Sequence, residues 1–146
     1  MDLKDLYRDV ILDHNRHPRN FGRIEAADAQ AVGHNPLCGD RLSLSLRLSG
    51  DRVEDIRFEG KGCAISTASA SLMTESLKGK TRAEAMKLLE KFHDLLTTDT
   101  PVSQELGKLV VFCGVRDYPA RVKCATLAWH TLKSALNNTG EVATTE

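Results

Sequence analysis

The chain has 146 residues, 41% hydrophobic and 27% charged, enough to bury one apolar core without covalent staples and too apolar for intrinsic disorder. Its 20 Lys and Arg balance its 20 Asp and Glu. That excludes the basic excess of a general nucleic-acid binder and the polybasic patch of a membrane anchor. No apolar run approaches the ~20 residues of a membrane span, and the opening MDLKDLYRDV is too charged for a signal peptide. A cytoplasmic single domain is therefore expected over residues 1–137, with the polar 138–146 as a flexible tail.

In chain order, Leu3, Leu6, Tyr7, Val10 and Ile11 fall on one face of an opening helix over 3–15. Pro18 and Gly22 break the chain after it. A weak strand over 27–34 precedes a clear one, Arg41–Ser49, in which Leu42, Leu44, Leu46 and Leu48 share one face. Gly50-Asp51 predicts a hairpin turn. In the returning strand the apolar phase slips after Val53. A bulge at Glu54-Asp55 restores it and sets Ile56 and Phe58 opposite Leu46 and Leu44. Beyond Gly62 the period becomes helical, in a segment rich in Ser and Ala that closes at Lys78-Gly79. Thr81 and Glu84 have capping-box spacing and open a further helix. The stretch 103–115 reads as a short helix or a strand, and Pro119 fits the first turn of a last helix. The order predicts an α+β fold, a small three-stranded antiparallel sheet with helices packed on one face.

A cytosolic chain of this size needs no disulfides, so its four cysteines suggest metal or thiol chemistry. Three stand at element boundaries: Cys38 before the long strand, Cys63 between strand and helix, and Cys124 in the first turns of the last helix. Boundaries at one end of a small sheet can converge, which brings in Asp40 as a fourth donor. One Gly between Cys38 and Asp40 lets both turn toward one point. Cys63 would sit at a helix N-terminus, where unpaired N–H groups favour a thiolate. Three thiolates and a carboxylate suit tetrahedral Zn²⁺, with Arg121 and Lys123 as nearby cations. The other reading makes each Cys a small buried hydrophobe. Cys113 is read that way, as helix packing. His34, beside Asn35-Pro36, lies near the expected site without being required by it.

The ordered motifs Leu6-Tyr7, Asp13-His14, Pro18-Arg19-Asn20, Asn35-Pro36, Cys38-Gly39-Asp40, Gly62-Cys63-Ala64-Ile65-Ser66 and Arg121-Val122-Lys123-Cys124 resemble the NifU/IscU family of iron–sulfur cluster assembly proteins over about residues 3 to 137. IscU-type scaffolds carry His directly before the last Cys, where this chain has Lys123. The stretch 79–118 is also longer than in that type. Both features are similar to the SufU type.

The resemblance implies a zinc-dependent sulfur acceptor that serves a pyridoxal-phosphate cysteine desulfurase of the SufS-like kind and relays sulfur to a downstream Fe–S assembly scaffold. It would not be a stand-alone catalyst. Carried over, Cys38, Asp40, Cys63 and Cys124 bind Zn²⁺. Cys38 is the sulfur acceptor, released when the desulfurase supplies another ligand, and Arg121 pairs with Asp40 or the freed thiolate. The alternative is an IscU-like scaffold on which iron or a transient [2Fe–2S] cluster is built. A purely structural zinc is a third reading. A cysteine hydrolase ranks last, because no His stands in a supporting motif.

Overall fold

The computed structural model describes residues 3–36, 39–98, 104–137 and 143–144. Three strands form an antiparallel meander: β1, Ala29–Asn35; β2, Asp40–Ser49; and β3, Arg52–Lys61. The alternating leucines do what the pattern predicts, with Leu42, Leu44 and Leu46 all buried on one face. Gly50 turns the hairpin at a φ of 60°. Leu48 then pairs with Val53, whereas Arg47 pairs with Asp55, leaving Glu54 as the extra residue of a bulge. The bulge returns Ile56 and Phe58 to their places opposite Leu46 and Leu44. A two-residue strand β4, Ala143–Thr144, runs parallel to β1 at Gly33 and His34, so the sheet order is β3-β2-β1-β4.

The described residues also hold five helical elements: α1, Leu3–Arg16; α2, Ala64–Leu77; α3, Arg82–Thr97; a 3-10 segment, Gln104–Val115; and α4, Pro119–Asn137. Helix α4 lies across β1 and β2, and α2 packs against α1, α4 and β3. At Gly33 a Cβ would fall on the Thr131 hydroxyl of α4, so the absent side chain sets how closely helix and strand approach. Helix α2 is buried on most sides, including Ser66, Ser69, Ser71 and Thr74. Its hydroxyls return to backbone carbonyls, with Thr74 Oγ1 donating to Ser71 O at 2.8 Å and Ser76 Oγ to Leu72 O at 2.7 Å. This is how a helix of small polar residues occupies the middle of a core. The capping box predicted for α3 is complete in both directions between Thr81 and Glu84. Of the 103–115 stretch, the described part, Gln104–Val115, is 3-10, interrupted at Gly107 with a φ of 53°. No helix among the described residues is long and apolar enough to cross a membrane.

Besides the short fourth strand, which adds to the expected three and lies within the segment 138–146 read as a tail, two features depart from the sequence reading. Leu6 is 40% exposed although it was placed on the inner stripe of α1. The inner face runs instead through Tyr7, Ile11 and the buried His14, and hydrophobic periodicity gives no weight to a histidine. The outer face of the sheet is also not uniformly wet. Residues 20–22 bond along the β3 edge at Phe58. The chain then crosses the outer face, where the Ile24 N–H donates to Ser45 Oγ at 3.0 Å, and reaches β2 again through Asp28 N–H to Leu46 O at 2.9 Å. Ile24 and Ser45 are both buried by this crossing.

His14 carries a pH dependence. Its Nδ1 lies 2.7 Å from Ser71 Oγ, which also accepts the Arg19 backbone N–H at 2.8 Å. Burial first, and then the positive charge of Arg19, hold the imidazole below its ordinary pKa, against the smaller opposing pull of Glu75 and Asp13. Above the unfolded value of about 6.5 both states are neutral and nothing is lost. As pH falls through it the unfolded chain takes up a proton that the folded one refuses, and stability drops. Urea unfolding at pH 7.5 and 5.5 is expected to show that drop, and His14→Gln to show a smaller one. His130, lowered by burial and by His93, supplies part of the remainder. An unchanged pH slope in His14→Gln would remove the assignment.

Candidate metal site

Three of the predicted ligands meet. One ligand atom each from Asp40, Cys63 and Cys124 lies within 4.8 Å of the others. The topology explains the convergence. Asp40 opens β2 directly opposite Asn35, the last residue of β1, after Gly39 at a φ of 72°. Strand β3 ends beside the start of β2, Lys61 against Arg41, and hands over at once to α2. Cys124 reaches the same end from the first turns of α4.

Cys63 is the N-cap of α2, its Sγ accepting the Ser66 N–H at 3.4 Å. Its own N–H donates to Asp40 Oδ1 at 2.9 Å, and its Sγ stands 3.9 Å from Asp40 Oδ2. The carboxylate is thereby gripped by backbone while its second oxygen faces the sulfur. Glycines make the approach possible. A Cβ on Gly62 would lie 3.1 Å from Asp40 Oδ1. At Gly60, with a φ of 151°, one would fall on the Arg41 carbonyl oxygen. Both the fold of that corner and the reach of Asp40 need glycine there.

Asp40 is 1% exposed and Cys124 4%. A carboxylate so deeply buried needs charge-compensating partners or a cation, and the donor set is one that zinc accepts. Zn–S and Zn–O bonds of ~2.3 and ~2.1 Å at tetrahedral angles put sulfur and oxygen ligands ~3.6 Å apart, close to the 3.9 Å between Cys63 Sγ and Asp40 Oδ2. The set therefore fits zinc with one further ligand to be supplied. Cys38, the predicted fourth, lies outside the described residues.

The remaining expectations fall as follows. Arg121 is exposed, and its guanidinium sits 4.6 Å over the Tyr118 ring; among the described residues it forms no ion pair with Asp40. Its charge does reach the site's rim: burial raises the Tyr7 pKa, Arg121 lowers it and Cys63 raises it. Lys123 is half-buried. His34 takes the opposite side of β1 from Asn35, as neighbours on a strand do, and is absent from the ligand group. Cys113 packs, half-buried, against the core.

Sequence reasoning missed Asn35 as part of the site. It is fully buried, and its Nδ2 donates to Asp40 Oδ2 at 3.4 Å and to Cys124 Sγ at 3.6 Å. The signal was available in the strand pairing, because a four-residue connection sets Asn35 across from Asp40.

This arrangement, thiol and carboxylate donors gathered at the mouth of a β meander under helices, defines a class. Residues 6–138 match the family described as NifU-like N terminal domain, and the chain belongs to that family. It is 44% identical, over 92% of both chains, to a protein of Bacillus subtilis named zinc-dependent sulfurtransferase SufU. It is 41% identical, over 92% of this chain and 84% of the other, to a Streptococcus pyogenes protein named iron–sulfur cluster assembly scaffold protein IscU. Among solved structures, a candidate SUF-system iron–sulfur cluster assembly scaffold from Fervidobacterium islandicum superposes with a TM-score of 0.83 at 37% identity, covering 90% of this chain and 97% of that one. The N-terminal part of a NifU-like protein from Brucella abortus gives 0.84 at 26% identity, over 92% and 94%.

Proposed function

We propose that this chain is a zinc-bearing sulfur acceptor in iron–sulfur cluster assembly, working with a cysteine desulfurase. The observation that carries the reading is the gathering of Asp40, Cys63 and Cys124 within ligand distance of one another, in a chain close to a relative named for zinc-dependent sulfur transfer. Cys38, two residues before Asp40, completes the ligand set and is the acceptor. Bound zinc keeps its cysteines as thiolates and masks them until one is released. Transfer is then a thiol exchange. The Cys38 thiolate attacks the terminal sulfur of the desulfurase persulfide and a new S–S bond forms. The desulfurase S–S bond breaks, and its cysteine leaves as thiolate, with no oxidant consumed. The desulfurase is of the pyridoxal-phosphate, SufS-like kind, the onward recipient is an assembly scaffold, and the compartment is the cytoplasm.

The second reading, a scaffold for a transient [2Fe–2S] cluster, is favoured by the relatives named IscU, and cysteine thiolates are the usual ligands of Fe–S clusters. Lys123, standing where the scaffold type carries His, weighs for the acceptor. The test is desulfurase turnover with zinc-loaded protein, together with mass spectrometry of Cys38 afterwards. The wild type is expected to stimulate turnover and to gain sulfur on Cys38, and Cys38→Ala to do neither. Stimulation that survives Cys38→Ala removes the acceptor assignment. A wild type that neither stimulates nor gains sulfur removes the relay.

A further inference from the structure

The geometry points to Asn35 as the residue that positions the ligands Asp40 and Cys124 for metal, a role that rests on the zinc reading above. An amide NH₂ carries two hydrogens set apart by the planar nitrogen, so one group can serve two acceptors at once. Here the acceptors are Asp40 Oδ2 at 3.4 Å and Cys124 Sγ at 3.6 Å. Both need a donor, which fixes which end of the amide faces them, since the carbonyl oxygen in that place would meet two other electron-rich atoms. Asn35 is 0% exposed, so water does not compete for the amide and the bridge is held in low dielectric.

The chain's layout gives the bridge its use. Asp40 belongs to β2 and Cys124 to α4, and their elements enter the site from different sides. Asn35 is on β1, paired across from Asp40 and in the strand on which α4 packs. It therefore ties the sheet ligand to the helix ligand through one side chain. Partners of this kind orient ligands and donate to their electron pairs, and losing one lowers metal affinity roughly 10- to 100-fold in known sites. Asn35 itself does not ligate; its side chain presents the NH₂, which has no electron pair to offer.

The experiment compares wild type with Asn35→Ala and Asn35→Leu, the second filling the volume without a donor. Zinc affinity is read by chelator competition, and the site by the thiolate charge-transfer and d–d bands of the cobalt(II) form. Both variants are expected to bind zinc about 10- to 100-fold more weakly and to shift the cobalt bands, which a merely structural loss would leave in place. Variants that match wild type in affinity and spectrum overturn the inference while leaving the zinc site intact. A wild type that takes up no zinc overturns the site reading, and the inference with it. If neither variant folds, ¹⁵N-labelled wild type decides. The Asn35 side-chain amide is expected to exchange slowly with water and to shift on zinc addition, and an amide that exchanges freely and ignores zinc overturns the role.

Discussion

Cys124→Ser is expected to strip the protein of tightly held zinc. Tetrahedral structural sites bind with apparent free energies of ~10–16 kcal/mol over four ligands, so an average ligand carries ~2.5–4 kcal/mol. Losing one thiolate should weaken binding by on the order of 10²- to 10³-fold. The substitution is nearly the same size and sits where Cys124 is buried, so α4, in whose first turns it lies, should survive. What changes is the donor: a hydroxyl stays protonated where a thiol ionises toward the metal. Cys63→Ser should behave alike, and its hydroxyl can keep the α2 cap that the sulfur makes with the Ser66 N–H. Chelator competition on purified, reduced protein measures both. Affinity within about twofold of wild type in either variant would mean that the residue is no ligand.

The largest loss of folding stability is expected from Trp129→Ala. The indole is 2% exposed and stacks on Phe92 with centroids 4.6 Å apart and planes 18° from parallel. Its Nε1–H donates to Ser69 Oγ at 3.2 Å, and that hydroxyl in turn donates to Ala125 O at 2.5 Å. One side chain thus holds α2, α3 and α4 together. Truncation removes a large buried apolar surface and leaves a cavity, a change that costs ~3–5 kcal/mol in well-packed cores. Trp129→Phe keeps a ring against Phe92 and loses the donor, so it should cost about 1–3 kcal/mol. Equilibrium urea unfolding of the metal-free protein checks the order. Near-equal losses in the two variants would show that the ring is not what matters.

How much of this was legible in the sequence follows from the range of the forces involved. The β2–β3 hairpin, its bulge at Glu54 and the capping box of α3 are local, each written within a dozen residues, and each was readable. The apolar phase slip after Val53 forced the bulge, because no other register keeps Ile56 and Phe58 inside. The meeting of Asp40, Cys63 and Cys124 was readable in outline because all three sit where elements begin. The unread features depend on partners distant in the chain. Leu6 faces outward because His14 finds Ser71, 57 positions away, and takes the inner face. Ser45 is buried because residues before β1 cross over it. Asn35 gains its importance from Cys124, 89 positions on. Arg121 is unread for another reason: it rests on Tyr118, three positions earlier, and which of its possible partners a surface guanidinium chooses has no sequence signature.

The crossing of the outer sheet face by residues 20–28 bears on the order in which the molecule assembles. Its contacts, Phe58 for Asn20 and Gly22 and Ser45 for Ile24, exist as a surface only after β2 and β3 have zipped together. That hairpin closes over short loops and forms early on entropic grounds. The segment ahead of it is the earlier to leave the ribosome and yet has nothing to lie on until the hairpin stands. A segment made before the hairpin is thus seated after it.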